Sequence, residues 1–126
     1  MSVVLDASAV LAMIFGEAGG KSVLTSSRGA LLSAVNVDEV LHKVARRGID
    51  PAAIEEQLLR LGLLVTPFDI DHARASAALY ARLRGTDTSF ADRACLSLAM
   101  LTGRPVVTAN AKWMELGLNL DIRLIR

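Results

Sequence analysis

Hydrophobic positions along this chain follow two alternating rhythms. Five short runs are apolar: Ser2 to Leu5, Ala30 to Ala34, Leu64 to Phe68, Pro105 to Thr108 and Ile122 to Ile125. Each predicts a strand. Between them the apolar residues recur at helical spacing. Ala7 to Ile14 predicts one helix, and Gly16, Gly19 and Gly20 loosen the connection to another near Lys21 to Ser27. Asn36 to Arg47 predicts a third, with Gly48 where a helix C-cap belongs. Asp50 and Pro51 open a fourth as cap and first residue, and its Ile54, Leu58 and Leu61 share one face. Asp71 to Arg84 predicts a fifth with Ala73, Ala77 and Tyr80 along its apolar side. The sixth, capped by Ser89 or Asp87, runs to Thr102 with Ala91, Ala94, Cys95, Leu98 and Leu101 on one face.

Short apolar strands separated by helices predict a parallel sheet covered on both faces. The expected fold is therefore a three-layer α/β/α sandwich around four to five short parallel strands, in a single domain over residues 1–126. With 52% apolar residues but only 4% aromatics, its core must be aliphatic. Lys plus Arg number 14 against 13 Asp plus Glu, so net charge argues neither for nor against a nucleic-acid partner. Cys95 is the one cysteine, which excludes an internal disulfide and fits a reducing compartment. The apolar start, Val3 to Phe15, has no basic residue before it, carries Asp6 and is too short to span a bilayer. These features predict a cytoplasmic protein without a membrane segment.

In open parallel sheets, chemistry gathers beyond the carboxyl ends of the strands. Asp6 directly follows the first strand. Glu39 lies early in the helix after the second, in Ser33-Ala-Val-Asn-Val-Asp-Glu, and Asp92 begins the sixth helix, in Ser89-Phe-Ala-Asp-Arg. Thr108-Ala-Asn110 follows the fourth strand. Three carboxylates crowded on one edge repel one another unless a cation neutralises them. An all-oxygen donor set suits Mg²⁺ or Mn²⁺, and such an ion can act on a phosphodiester. Each residue also has an ordinary reading. Asp6 can cap the next helix; Glu39 can pair with Lys43 one turn on; Asp92 suits any helix N-terminus. No phosphate loop of the GxxxxGK[ST] or GxGxxG kind is present.

Four segments carry a resemblance. Leu5-Asp-Ala-Ser-Ala-Val-Leu-Ala, Ser33-Ala-Val-Asn-Val-Asp-Glu-Val-Leu, Ser89-Phe-Ala-Asp-Arg-Ala-Cys-Leu and Pro105-Val-Val-Thr-Ala-Asn resemble, in order and spacing, the blocks of PIN-domain ribonucleases, especially VapC-type toxins. The resemblance implies Asp6, Glu39 and Asp92 as catalytic ligands of Mg²⁺ or Mn²⁺, and cleavage of RNA by metal-activated water. It further implies a homodimer, and a cognate antitoxin through which the complex binds promoter DNA. Family members often carry an acid where this chain has Asn110, and a glycine where it has Asp87. Asn110 offers an amide oxygen without charge, and Asp87 either restores charge, caps the helix or faces solvent. Ser8 and Thr108 are candidates to orient the carboxylates or bound waters. Arg93, Lys43 and Lys112 are candidate RNA contacts. The alternative expectation is a PIN-fold scaffold whose acidic cluster has decayed and which binds RNA or protein without cutting.

Overall fold

The computed structural model describes residues 2–126. Five strands, β1 (Val4–Leu5), β2 (Leu31–Ser33), β3 (Leu64–Thr66), β4 (Val106–Thr108) and β5 (Ile122–Leu124), form one sheet in the order β3-β2-β1-β4-β5. All pairings are parallel, with Val4 opposite both Leu31 and Val106. Six α-helices surround it: α1 (Ala7–Phe15), α2 (Gly20–Ser26), α3 (Ala34–Arg46), α4 (Pro51–Arg60), α5 (Ile70–Arg82) and α6 (Phe90–Thr102). A short 3-10 helix, Ala111–Glu115, follows β4. This is the expected α/β class, with the full five strands.

Alternation along the strands splits the core in two. Val3, Leu5, Leu32 and Val107 face one side and pack with Val10 of α1, Val23 of α2, Val40 and Val44 of α3 and Leu58 of α4. Val4 and Val106 face the other and pack with Leu79 of α5, Leu96 and Leu98 of α6 and Trp113. The chain fills the sheet outward from β1 to β3, then crosses back to place β4 on β1's other flank. The crevice between β1 and β4 is therefore the point where strand order reverses, and loops leaving it diverge to opposite faces. Among the described residues, no single helix is long and apolar enough to cross a membrane.

Local signals act as the sequence implied. Ile49 N–H donates to the Val44 carbonyl and Gly48 N–H to the Ala45 carbonyl, a Schellman ending that needs the positive φ of Gly48. Asp50 accepts from Ala52 N–H with Pro51 at the first helical position. Cys95 and Trp113 are core, and Leu11 is buried within the first cluster. Three expectations need correction. The buried side of α5 is His72, Ser76 and Leu79, not Ala73, Ala77 and Tyr80, and Tyr80 is 58% exposed. The helix is turned by one position because Leu79 and Leu83 anchor against α6. Leu101 is half exposed, since the buried stretch of α6 ends at Ala99. The 3-10 helix has no counterpart in the sequence reading, because five residues are too few to show a period.

Helices α1 and α2 meet so closely at Gly20 that a Cβ there would run into the Ala12 carbonyl. Backbone cannot yield as a side chain would. Gly20→Ala is expected to lower the midpoint of thermal unfolding, by an amount equivalent to about 1–3 kcal/mol. An unchanged midpoint would mean that the two helices can separate without loss.

Candidate active site

Asp6 leaves β1 as the N-cap residue of α1, yet its side chain caps nothing. Instead, Ser8 Oγ donates to Asp6 Oδ2 at 2.6 Å and Thr108 Oγ1 donates to the same oxygen at 2.8 Å. Each hydroxyl is itself aimed by backbone: Ala109 N–H donates to Ser8 Oγ and Asn110 N–H to Thr108 Oγ1. One carboxylate oxygen is thus clamped between the ends of β1 and β4. Asp6 is 4% exposed. Its Oδ1 makes no hydrogen bond among the described residues and is not sealed from solvent, so it faces the crevice. Burial holds this carboxyl up at about 6; the two hydroxyls pull it down, and the nearby charges of Asp92 and Glu39 push it further up.

Asp92 is both a member of a capping box and a candidate ligand. Its Oδ2 accepts from Ser89 N–H at 3.0 Å while Ser89 Oγ accepts from Asp92 N–H at 3.1 Å, a reciprocal box that starts α6. Ser89, not Asp87, is the cap. Partial burial raises the Asp92 carboxyl, Ser89 opposes that, and Glu39 and Asp87 add to it. Glu39 accepts from Lys43 Nζ at 3.3 Å and from Asn36 Nδ2 at 3.3 Å. Asn36 is fully buried and also donates to the Ala91 carbonyl at 3.0 Å. This amide, to which the sequence reading gave no role, ties α3 to the first turn of α6 and so sets Glu39 against Asp92. Its position three residues before Glu39 was the available signal.

The remaining candidates separate. Asn110 Oδ1 accepts from Lys112 N–H and caps the 3-10 helix. Asp87 faces solvent and pairs with Lys112 at 3.0 Å, which lowers the Asp87 carboxyl and raises the Lys112 ammonium. Lys43 is paired with Glu39. Arg93 has no acidic partner among the described residues.

Asp6, Glu39 and Asp92 therefore sit on one edge, close enough to feel one another's charge. Among the described residues, no three His, Cys, Asp or Glu side chains already stand as a closed metal-binding group. The donor chemistry nevertheless fits a hard divalent cation. The set is all oxygen, one member is buried with its carboxyl raised chiefly by that burial and further by its neighbours' charges, and its open oxygen faces the crevice.

The PIN-domain family model matches residues 3–117. No curated protein sequence matches. Among solved structures, a toxin–antitoxin complex from Klebsiella pneumoniae superposes with a TM-score of 0.81 at 17% identity, covering 99% of this chain and 98% of that one. DNA-bound VapBC from Salmonella typhimurium gives 0.79 at 19% identity, covering 100% and 99%. VapC20 of Mycobacterium tuberculosis, a sarcin-ricin-loop-cleaving toxin, gives 0.76 at 18% identity, covering 97% and 99%. At these identities the likeness establishes a shared fold.

The raised Asp6 carboxyl sets a pH dependence. Its ordinary value is 3.8 and its folded value about 6, so across that interval the folded protein holds a proton that the unfolded chain has released. Stability of the metal-free protein therefore falls as pH rises from about 4 to about 6, by about 2–3 kcal/mol at most. Unfolding of Asp6→Asn in EDTA should show much of that slope removed, with a remainder from Asp92. An identical slope in both proteins would show that Asp6 titrates normally.

Proposed function

The chain belongs to the PIN-domain family, and on that premise we propose that it is a Mg²⁺- or Mn²⁺-dependent endoribonuclease acting as the toxin of a toxin–antitoxin pair. The observation that carries this reading is the clamped Asp6, with one oxygen fixed by Ser8 and Thr108 and the other open to a crevice shared with Asp92 and Glu39. Nuclease chemistry is general to PIN domains; metal dependence and RNA as substrate are the proposed part.

Asp6, Asp92 and Glu39 would hold the ion. When bound, a divalent cation supplies a Lewis acid that activates water and offsets charge on the phosphodiester. The chain's own part is positional. Ser8 and Thr108 fix the Asp6 plane, so Oδ1 keeps its direction without loss of side-chain freedom on binding. The capping box fixes Asp92 Oδ2 and leaves Oδ1 for the crevice, and Asn36 restrains Glu39. Lys43 and Lys112, exposed on the rim, can exchange their carboxylate partners for phosphate at little cost, because water screens exposed ion pairs.

The partners follow from the same reading. Klebsiella, Rickettsia and Salmonella neighbours were solved as toxin–antitoxin or VapBC complexes, the latter two with DNA. For this chain we propose a cognate antitoxin, contact with promoter DNA only through that complex, a homodimer, one domain, and a cytoplasmic setting. A second reading is a scaffold that has lost catalysis; the engagement of Asn110 as a helix cap, without charge, favours it.

Cleavage of a mixed RNA pool by the purified protein decides between them. The expected result is cleavage with Mg²⁺, none with EDTA, and a loss of at least about 10²-fold in Asp92→Asn. No cleavage by folded protein freed of any partner would support the scaffold. In that case Asn110→Asp, which keeps the cap and adds a charge, is the variant expected to restore it. Thr108→Val removes the donor to Asp6, and metal affinity by calorimetry is expected to weaken about 10–100-fold. Equal affinity would deny Thr108 its orienting role.

A further inference from the structure

Beside the N-terminus of α6 lies a hollow of about 300 Å³, lined by Tyr80, Leu83, Arg84, Thr86, Thr88 and Arg93 among others. It joins the end of α5 to the loop that carries Asp87 and Ser89. We propose that this hollow seats a nucleotide of single-stranded RNA next to the bond to be cut, with Tyr80 stacking on its base and Arg93 and Arg84 holding its phosphate. The proposal rests on the nuclease reading and assigns that site a way of gripping its substrate.

Arg93 is the central observation. It follows Asp92 directly in the first turn of α6, so the two side chains leave neighbouring points of the helix in different directions, Arg93 toward the hollow. Its guanidinium lies 5.4 Å from the Tyr80 ring centre and 5.7 Å from that of Phe90. Its Nε is buried with no acceptor, and no carboxylate pairs with it among the described residues. A buried donor without a partner is costly to the fold, and a ligand oxygen would relieve that cost. A guanidinium held against an aromatic ring keeps its N–H fork free for a phosphate.

The aromatic residues are distributed unusually. The chain has one Tyr, one Trp and three Phe. Trp113 is core, but Tyr80 is 58% exposed and Phe90 50% exposed, and Phe68 meets Phe90 edge-on at 5.4 Å. Exposed aromatic faces beside arginines are the means by which proteins hold unpaired bases irrespective of sequence. No carboxylate lines the hollow among the described residues, whereas Arg84 and Arg93 both do. Thr86 and Thr88 on its lining share a hydroxyl contact at 2.5 Å; Thr86 Oγ1 donates to the Leu83 carbonyl and accepts from Thr88, so Thr88 Oγ1 is the oxygen that keeps acceptor capacity for a base or ribose. The larger arginine-lined hollow elsewhere lies by Pro105 and Asp121, at the amino ends of β4 and β5, away from the acidic edge.

Binding in EDTA tests this without depending on cleavage. The probes are fluorescently labelled single-stranded oligo-A, oligo-U and oligo-C, read by anisotropy over a salt series. Tyr80→Ala is expected to weaken binding about tenfold or more, and Tyr80→Phe to leave it nearly unchanged. Arg84→Ala and Arg93→Lys separate charge from fork. The first should flatten the salt slope by about 0.7, and the second should keep the slope but weaken binding. Tyr80 and Arg84 lie on the surface, so these variants should fold as wild type by circular dichroism. If all variants bind RNA as wild type does, and wild type still cuts RNA, the hollow is not the subsite while the nuclease reading stands. A wild type that neither binds nor cuts any RNA overturns both. Unchanged RNA affinity with an altered sedimentation coefficient in Tyr80→Ala would assign the hollow to a protein contact instead.

Discussion

A single buried carboxylate joins the architecture to the chemistry of this protein. Asp6 sits where the two central strands end, under hydroxyls from both sides of the crevice. Taking a carboxyl out of water disfavours its charge, and here the effect is large enough to move it to about 6. Without Ser8 and Thr108 the same burial would push it higher still. The clamp therefore does two opposed things. It makes burial tolerable, and it leaves the charge underneutralised, so that a cation bound at Oδ1 would gain what the fold does not supply. The β1–β4 pairing, with Leu5 opposite Val107, is what sets the two hydroxyls at the right separation. The register of the sheet is thus also the register of the site.

The other acids are placed by different means, and the contrast is informative. Asp92 is held by a capping box, a local device that would exist on any helix with Ser89 before it. Its structural duty occupies Oδ2 only. A capped aspartate is accordingly a good ligand: the cap fixes its rotamer, and the second oxygen stays available. Glu39 has no such constraint of its own. Its direction comes from Asn36, which reaches across to the Ala91 carbonyl and so couples α3 to the helix bearing Asp92. Structural and functional readings of these residues are not rivals here. Only for Asp6 did the capping interpretation fail, since its side chain accepts no backbone N–H.

The sheet, the helix order and the acidic edge were legible because each rests on short-range pattern. Strands of two or three residues stand out when flanked by turns and helices, and the position after a parallel strand is a chemical location by topology alone. What could not be read is equally physical. The face of α5 was misassigned by one residue, because Ala73, Ala77 and Tyr80 look more apolar than His72, Ser76 and Leu79, and only the packing of Leu79 and Leu83 against α6 decides between them. Asp87 and Lys112 are 25 residues apart, and their pairing comes from tertiary placement rather than spacing. Asn36 looked like an ordinary helix-start residue. The exposure of Tyr80, which removes it from the core and puts it beside Arg93, depends on that same turn of α5.

Asn110 brings these threads to one point. An aspartate there would add a fourth negative charge near Asp6, whose carboxyl is already raised by its neighbours. In a metal-free protein that charge would raise the Asp6 carboxyl further and increase the cost of keeping it ionised. Asn110 keeps the cap of the 3-10 helix, through Oδ1 to Lys112 N–H, without that repulsion. The partner of Lys112 is then Asp87, outside the crevice, which draws one positive charge to the rim and leaves the centre to three acids. If the crevice holds divalent cations, as proposed, one fewer carboxylate leaves less negative charge to hold a second. A one-ion site would stabilise the leaving oxygen less completely than a pair does, and on the proposed nuclease reading that would place more of the burden on how the substrate is held.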